Sequence, residues 1–194
     1  MSLSPWDAGW LRRASRCPSP NFGPRPIGTE ISLALIHSIS LPPGEYGGDS
    51  IERLFTNRLD WDAHPYYAQI RGLTVSSHFV ICRAGELLQF VSCDERAWHA
   101  GTSQWQGREN CNDYSIGIEL EGLEGMCFES AQYAALTRLL YAIAQHYPLD
   151  AVAGHEHVAS GRKQDPGSGF DWRRLIALLA WPDQYFPDDV TRRN

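Results

Sequence analysis

The stretch YSIGIEL, Tyr114 to Leu120, decides how the chain is built. Successive side chains of a strand point to opposite faces, so Ile116 and Ile118 go one way and Gly117 and Glu119 the other. Upstream, HFVIC (His78 to Cys82), the turn RAGE and LLQFVS (Leu87 to Ser92) predict a β-hairpin with Gly85 in the turn. ISLALI, Ile31 to Ile36, is a short apolar run bounded by turn signals, the pattern of a buried strand. Ser50 can cap a helix that carries Ile51, Leu54 and Phe55 on one face. From Asn57 to Leu73, around HPYY, no period is clear, and a long loop is expected, of the kind that often carries function. Downstream, Ser130 opens a helix with Tyr133, Leu136, Leu140, Ile143 and Tyr147 at helical spacing, ended by Pro148. A last helix is expected from about Asp171 to Ala180. Strands interleaved with helices indicate an α/β (α+β) domain, a mixed central β-sheet flanked by helices.

Length and composition fit one domain over residues 1–194, with a core at about 31–180. The first 30 residues, with CPSPNFGPRPIG, are expected to wrap it as irregular structure. A hydrophobic fraction of 43% and a charged fraction of 21% describe an ordinary globular protein and exclude disorder. A net charge of −6 argues against a nucleic-acid partner and leaves no basic stripe for an anionic membrane. No apolar run nears the roughly 18 residues needed to span a bilayer. The N-terminus has Trp and Arg where a signal peptide needs apolar residues, so a cytoplasmic protein is expected. Cys17, Cys82, Cys93, Cys111 and Cys127 form no CxxC pair, and neither a disulfide framework nor a Cys₄ zinc site fits them.

Of seven histidines, His64 and His146 read as surface residues. His37 directly follows a buried strand, where a strand end meets a loop and pockets form. His155 lies in AGHEHVASGRKQDPG, ten residues before Asp165, in a segment flexible enough to fold the two together. Two imidazoles and one carboxylate leave a fourth tetrahedral position open, the pattern of catalytic zinc. Spacing alone leaves His155 and His157, as an HxH pair, an equal alternative.

The blocks HSISLPPGEYGG, HPYY, TVSSHFVI, RAWHAGTSQWQGREN, CNDYSIGIELEG and GHEHVASGRKQDPG occur in this order from about Pro18 to Trp172. Together they resemble the AmpD-type N-acetylmuramoyl-L-alanine amidases, within the larger amidase family that includes phage T7-type lysozymes and peptidoglycan recognition proteins. The resemblance implies one zinc ion per chain, held by His37, His155 and Asp165. It implies Glu119 as the acid-base residue, with Glu121 as runner-up, because strand alternation puts both on one face. It implies Lys163 as oxyanion partner. Independently, Lys163 is the single lysine among seventeen Lys and Arg residues. A compact ammonium at that spot is not interchangeable with a guanidinium.

The implied substrate is a small muropeptide, 1,6-anhydro-N-acetylmuramyl peptide, cut between the lactyl group and L-alanine during cell-wall recycling. By controlling such fragments, enzymes of this type affect β-lactamase induction in some bacteria. The substrate carries carboxylates, so Arg108 and Arg162 are candidate partners. Trp98 and His99 are candidates to line the sugar or peptide groove, and Tyr66 to hydrogen-bond near the metal. A monomer is expected. Two rivals remain: a non-catalytic peptidoglycan-recognition module that has lost a ligand, and a cysteine hydrolase, for which no nucleophile motif is present.

Overall fold

The computed structural model describes residues 4–192. Its centre is a six-stranded mixed sheet. We number the strands β1 (Ser15–Arg16), β2 (Leu33–Ile39), β3 (Phe79–Ile81), β4 (Leu87–Gln89), β5 (Ser115–Glu121) and β6 (Ala151–Gly154). They lie in the order β6-β2-β5-β3-β4-β1. The strand β5 is parallel to β2 and to β3, β6 is parallel to β2, and β3 and β4 form an antiparallel hairpin. Gly85 takes a positive φ of 91° in that hairpin's turn, as expected.

The helices are α1 (Ser50–Phe55), α2 (Pro65–Gln69), α3 (Ser130–Ala144), α4 (His155–Val158), α5 (Trp172–Leu179) and α6 (Asp188–Thr191). α3 and α5 cover one face of the sheet. There Ala34, Ile36, Phe79, Ile116, Ile118 and Leu120 are buried against Tyr133, Leu136, Leu140, Ile143, Leu175 and Leu179. Gln132 of α3 reaches the sheet, its Nε2 donating to the carbonyls of Ile81 (3.1 Å) and Glu121 (2.9 Å). On the opposite face Leu33 and Leu35 pack with Ala100, Tyr114 and Val158, while Val80 and Phe90 pack with Leu54, Phe55 and Tyr67. No helix among the described residues is long and apolar enough to cross a membrane.

Three local expectations need correction. The expected wrap over 1–30, of which 1–3 lie outside the described residues, is more regular than its composition suggests. Trp6–Asp7 pairs with Trp10–Leu11, Phe22–Gly23 pairs with Arg96–Ala97, and β1 joins the sheet edge beside β4. Buried side chains hold it: Gln89 accepts from the Leu11 N–H (2.7 Å) and donates to the Gly9 carbonyl (2.8 Å). Arg25 donates to the carbonyls of Cys93, Asn112, Asp113 and Ser115. Second, α2 interrupts the stretch expected to be loop. Pro65 starts it, and the His64 Nδ1 caps it by accepting from the Tyr66 N–H at 3.1 Å. Third, Asp49 rather than Ser50 flanks α1, and the Ser50 hydroxyl instead accepts from Tyr67 Oη–H at 2.9 Å.

Candidate active site

Parallel pairing brings the site together. Along β5 and β2 the register sets Glu119 opposite His37, and along β6 and β2 it sets Gly154 opposite Ile36. The next residue, His155, opens α4 and so comes level with His37. The following loop then folds back, and the Glu156 N–H donates to the Asp165 carbonyl at 2.9 Å. Gly154 permits that return, since a Cβ there would stand 2.8 Å from Pro166 Cδ. His37 Nδ1, His155 Nδ1 and Asp165 Oδ2 form a triangle with all three sides 3.0 Å. All three residues are buried.

Can these atoms hold a metal? Tetrahedral zinc, with bonds of about 2.0–2.1 Å, sets neighbouring donors roughly 3.3 Å apart, close to the observed triangle. Proton placement, assigned from the hydrogen-bond network, gives a stronger test. His155 Nε2 lies 3.0 Å from the Ala100 carbonyl, an acceptor only, so Nε2 carries the proton and Nδ1 a lone pair. Ser115 Oγ donates to the Cys111 carbonyl at 2.5 Å. Its lone pair therefore accepts from His99 Nε2–H at 3.4 Å, leaving His99 Nδ1 to accept from His37 Nε2–H at 3.0 Å. His37 Nδ1 is then also a lone pair. Burial pushes the His37 imidazole down to about 4, so the ring is neutral at pH 7. Two lone pairs and a carboxylate oxygen meet with no proton among them, an arrangement that a cation relieves. Among the described residues these three form a group able to hold a metal ion.

The two glutamates separate clearly. Glu121 accepts from the backbone N–H groups of Gly47 and Arg83. Glu119 borders the same cleft as the triad, and its Oε2 is buried without a hydrogen-bond partner. Burial, reinforced by the Asp165 carboxylate and opposed by Lys163, holds its carboxyl well above the usual carboxylate range.

The cleft has a volume of about 390 Å³ and is bordered by Tyr66, Trp98, His99 and the exposed Lys163 as well as the triad and Glu119. A larger open cleft of about 1180 Å³ adjoins it and shares Glu124 and Lys163.

Other expected site residues stand elsewhere. Arg108 stacks on Tyr114, its guanidinium carbon 3.8 Å from the ring centre, outside the cleft lining. Arg162 donates to the carbonyls of Ala100 (2.7 Å) and Thr102 (2.6 Å), so it steadies the carbonyl that orients His155 instead of facing the cleft. His99 borders the cleft, but its ring nitrogens face His37 and Ser115. His157 stands outside this group: its Nδ1 accepts from the Gly154 N–H at 2.8 Å. Burial pushes the Cys17 thiol up, Cys82 up to about 11 and Cys93 higher still, which disfavours these three as nucleophiles, and no cysteine lines the cleft.

A family model described as N-acetylmuramoyl-L-alanine amidase matches residues 28–168, from just before β2 to just past Asp165. The chain belongs to that amidase family. Among its relatives in the family, the 1,6-anhydro-N-acetylmuramyl-L-alanine amidase AmpD of Salmonella typhimurium is 51% identical over 176 residues, 90% of this chain and 94% of that protein. A crystal structure of a selenomethionine derivative of AmpD superposes with a TM-score of 0.86 at 49% identity, covering 92% of this chain and 99% of that one. The amidase AmiD of Escherichia coli, solved with the substrate anhydro-N-acetylmuramic acid-L-Ala-D-gamma-Glu-L-Lys, matches with a TM-score of 0.57 at 29% identity. There the match covers 79% of this chain and 60% of that one. All three expected ligands of this amidase-family chain fall inside the family match.

Proposed function

We propose that the chain is a zinc-dependent amidase that hydrolyses the lactyl–L-alanine bond of 1,6-anhydro-N-acetylmuramyl peptides. The observation that carries it is the 3.0 Å triangle of His37 Nδ1, His155 Nδ1 and Asp165 Oδ2 beside Glu119, whose buried Oε2 has no hydrogen-bond partner. The similarity to AmpD over nine-tenths of the chain supports the bond and the sugar. The convergence of all three candidate ligand residues counts against a recognition module that has lost one.

An amide is a weak electrophile with a poor leaving group. Zinc held by the triad would polarise the carbonyl and lower the pKa of water toward about 7. Glu119 Oε2, with no other partner, takes the proton of the attacking water. Its raised affinity for protons lets it keep that proton until the alanine nitrogen departs, and then deliver it. Lys163, on the cleft rim, donates to the carbonyl oxygen as negative charge develops there. Tyr66 and Trp98 offer the walls for sugar and peptide. In the cytoplasm, as a monomer, such an enzyme would act on imported wall fragments during recycling. Incubation of the purified protein with anhydromuramyl tripeptide tests the proposal. Free tripeptide and 1,6-anhydro-N-acetylmuramic acid should appear, and a zinc chelator should abolish their release. Release unaffected by chelator would refute it.

A further inference from the structure

His99 borders the cleft, yet its ring makes two contacts that leave it nothing to offer a substrate. Its Nδ1 lies 3.0 Å from His37 Nε2 and its Nε2 lies 3.4 Å from Ser115 Oγ. The direction of this chain is fixed at its far end, where the Ser115 hydroxyl proton is committed to the Cys111 carbonyl. We propose that His99, oriented by Ser115, is a positioning residue that accepts the His37 Nε2–H and so keeps the His37 Nδ1 lone pair aimed at the metal. The proposal rests on zinc binding by the triad.

The surrounding fold is shaped for this ring. Gly117 lies beneath it on β5, and a Cβ there would stand 2.5 Å from His99 Cγ. No side chain fits between strand and imidazole, which accounts for the glycine in the centre of a buried strand. The backbone N–H groups of His99 and Ala100 both donate to Asn112 Oδ1, at 3.1 and 2.8 Å. Asn112 thereby fixes the segment that also carries the Ala100 carbonyl, the acceptor of His155 Nε2–H. One short segment thus supplies the outer partner of both histidines: a ring nitrogen for His37 and a carbonyl for His155. The ring of His37 meets that of His99 edge-on, with centres 5.0 Å apart, so rotation of His37 about its own axis would break the contact. Outer partners of this type fix the orientation and raise the basicity of a ligating imidazole.

The experiment is zinc affinity, measured by competition with a chromophoric chelator, combined with nitrogen-15 histidine spectra of the zinc-loaded protein. Loss of such a partner weakens metal affinity by about 10–100-fold, so His99→Phe should fall in that range and His99→Asn, whose Oδ1 can still accept from His37, within about threefold of wild type. In wild type, His99 should carry its proton on Nε2. Because this tautomer is read without any substitution, the proposal stays falsifiable even if a variant misfolds. Zinc affinity of His99→Phe equal to wild type, equal losses in both variants, or a wild-type His99 protonated on Nδ1 would each overturn the positioning role. Failure of the wild-type protein itself to take up zinc would overturn the amidase proposal as well, and so distinguishes the two.

Discussion

The two faces of β5 have opposite physics. Towards α3 and α5 it presents Ile116, Ile118 and Leu120, fully buried among other hydrocarbon side chains. On the other face, which borders the cleft at Glu119, it presents Gly117 beneath the His99 ring, Glu119, and Glu121 bound to the Gly47 and Arg83 N–H groups, so every residue has a polar or steric task. The apolar face holds the strand in place by burying area, a non-directional effect tolerant of similar shapes. The cleft face depends on individual atoms, because a buried polar group without its partner is costly. One strand therefore holds the fold and aims the chemistry, and substitutions on its two faces should separate stability from activity.

The largest expected effect is on ligands. His155→Ala and Asp165→Ala should lose zinc, measured by elemental analysis, and with it all measurable release of peptide. Next comes Glu119→Gln, which should keep zinc while losing roughly 10²–10⁴ in rate, the scale of positioned acid-base catalysis. Its thermal midpoint should not fall, since it removes a buried carboxylate without a partner. Lys163→Ala should lose about 10²–10³ in kcat, the scale for one oxyanion donor. Glu121→Ala should show the reverse of the Glu119 pattern: stability falls by about 0.5–1.5 kcal/mol for each of the two backbone hydrogen bonds lost, read by denaturant unfolding, with a much smaller loss of rate. Smallest of all, Ile118→Val on the helix face should cost about 0.5–1.5 kcal/mol of stability and leave kcat unchanged. Equal behaviour of Glu119 and Glu121, or a large rate loss at Ile118, would erase the distinction between the faces.

How much of this was legible in the sequence follows the same division. The alternation of β5, the hairpin about Gly85 and the spacing of α3 are local patterns, and they appear as read. His37, His155 and Asp165, implied by motif resemblance where spacing alone left His157 open, converge into a group able to hold a metal ion. The preference for Glu119 over Glu121 was invisible to alternation, because both share a face. The difference lies in the Gly47 and Arg83 N–H groups, which reach one carboxylate and not the other. Arg162 looked like a carboxylate partner because its chemistry suits one, but its direction is set by a distant segment, Ala100 to Thr102. His99 was named only as a candidate for the groove, and its contact with His37 was hidden for a similar reason, since the two are 62 residues apart in the chain. The helix α2 escaped because histidine is an unusual cap. Pro65 was the available signal, being suited to the first turn of a helix.

The central claim is that three side chains from separate parts of the chain enclose one zinc ion. Anomalous diffraction at the zinc absorption edge, from crystals of metal-replete protein, tests it most directly. One peak is expected within about 2.0–2.2 Å of His37 Nδ1, His155 Nδ1 and Asp165 Oδ2. A peak at His157 or elsewhere, with the triad left empty, would contradict the account.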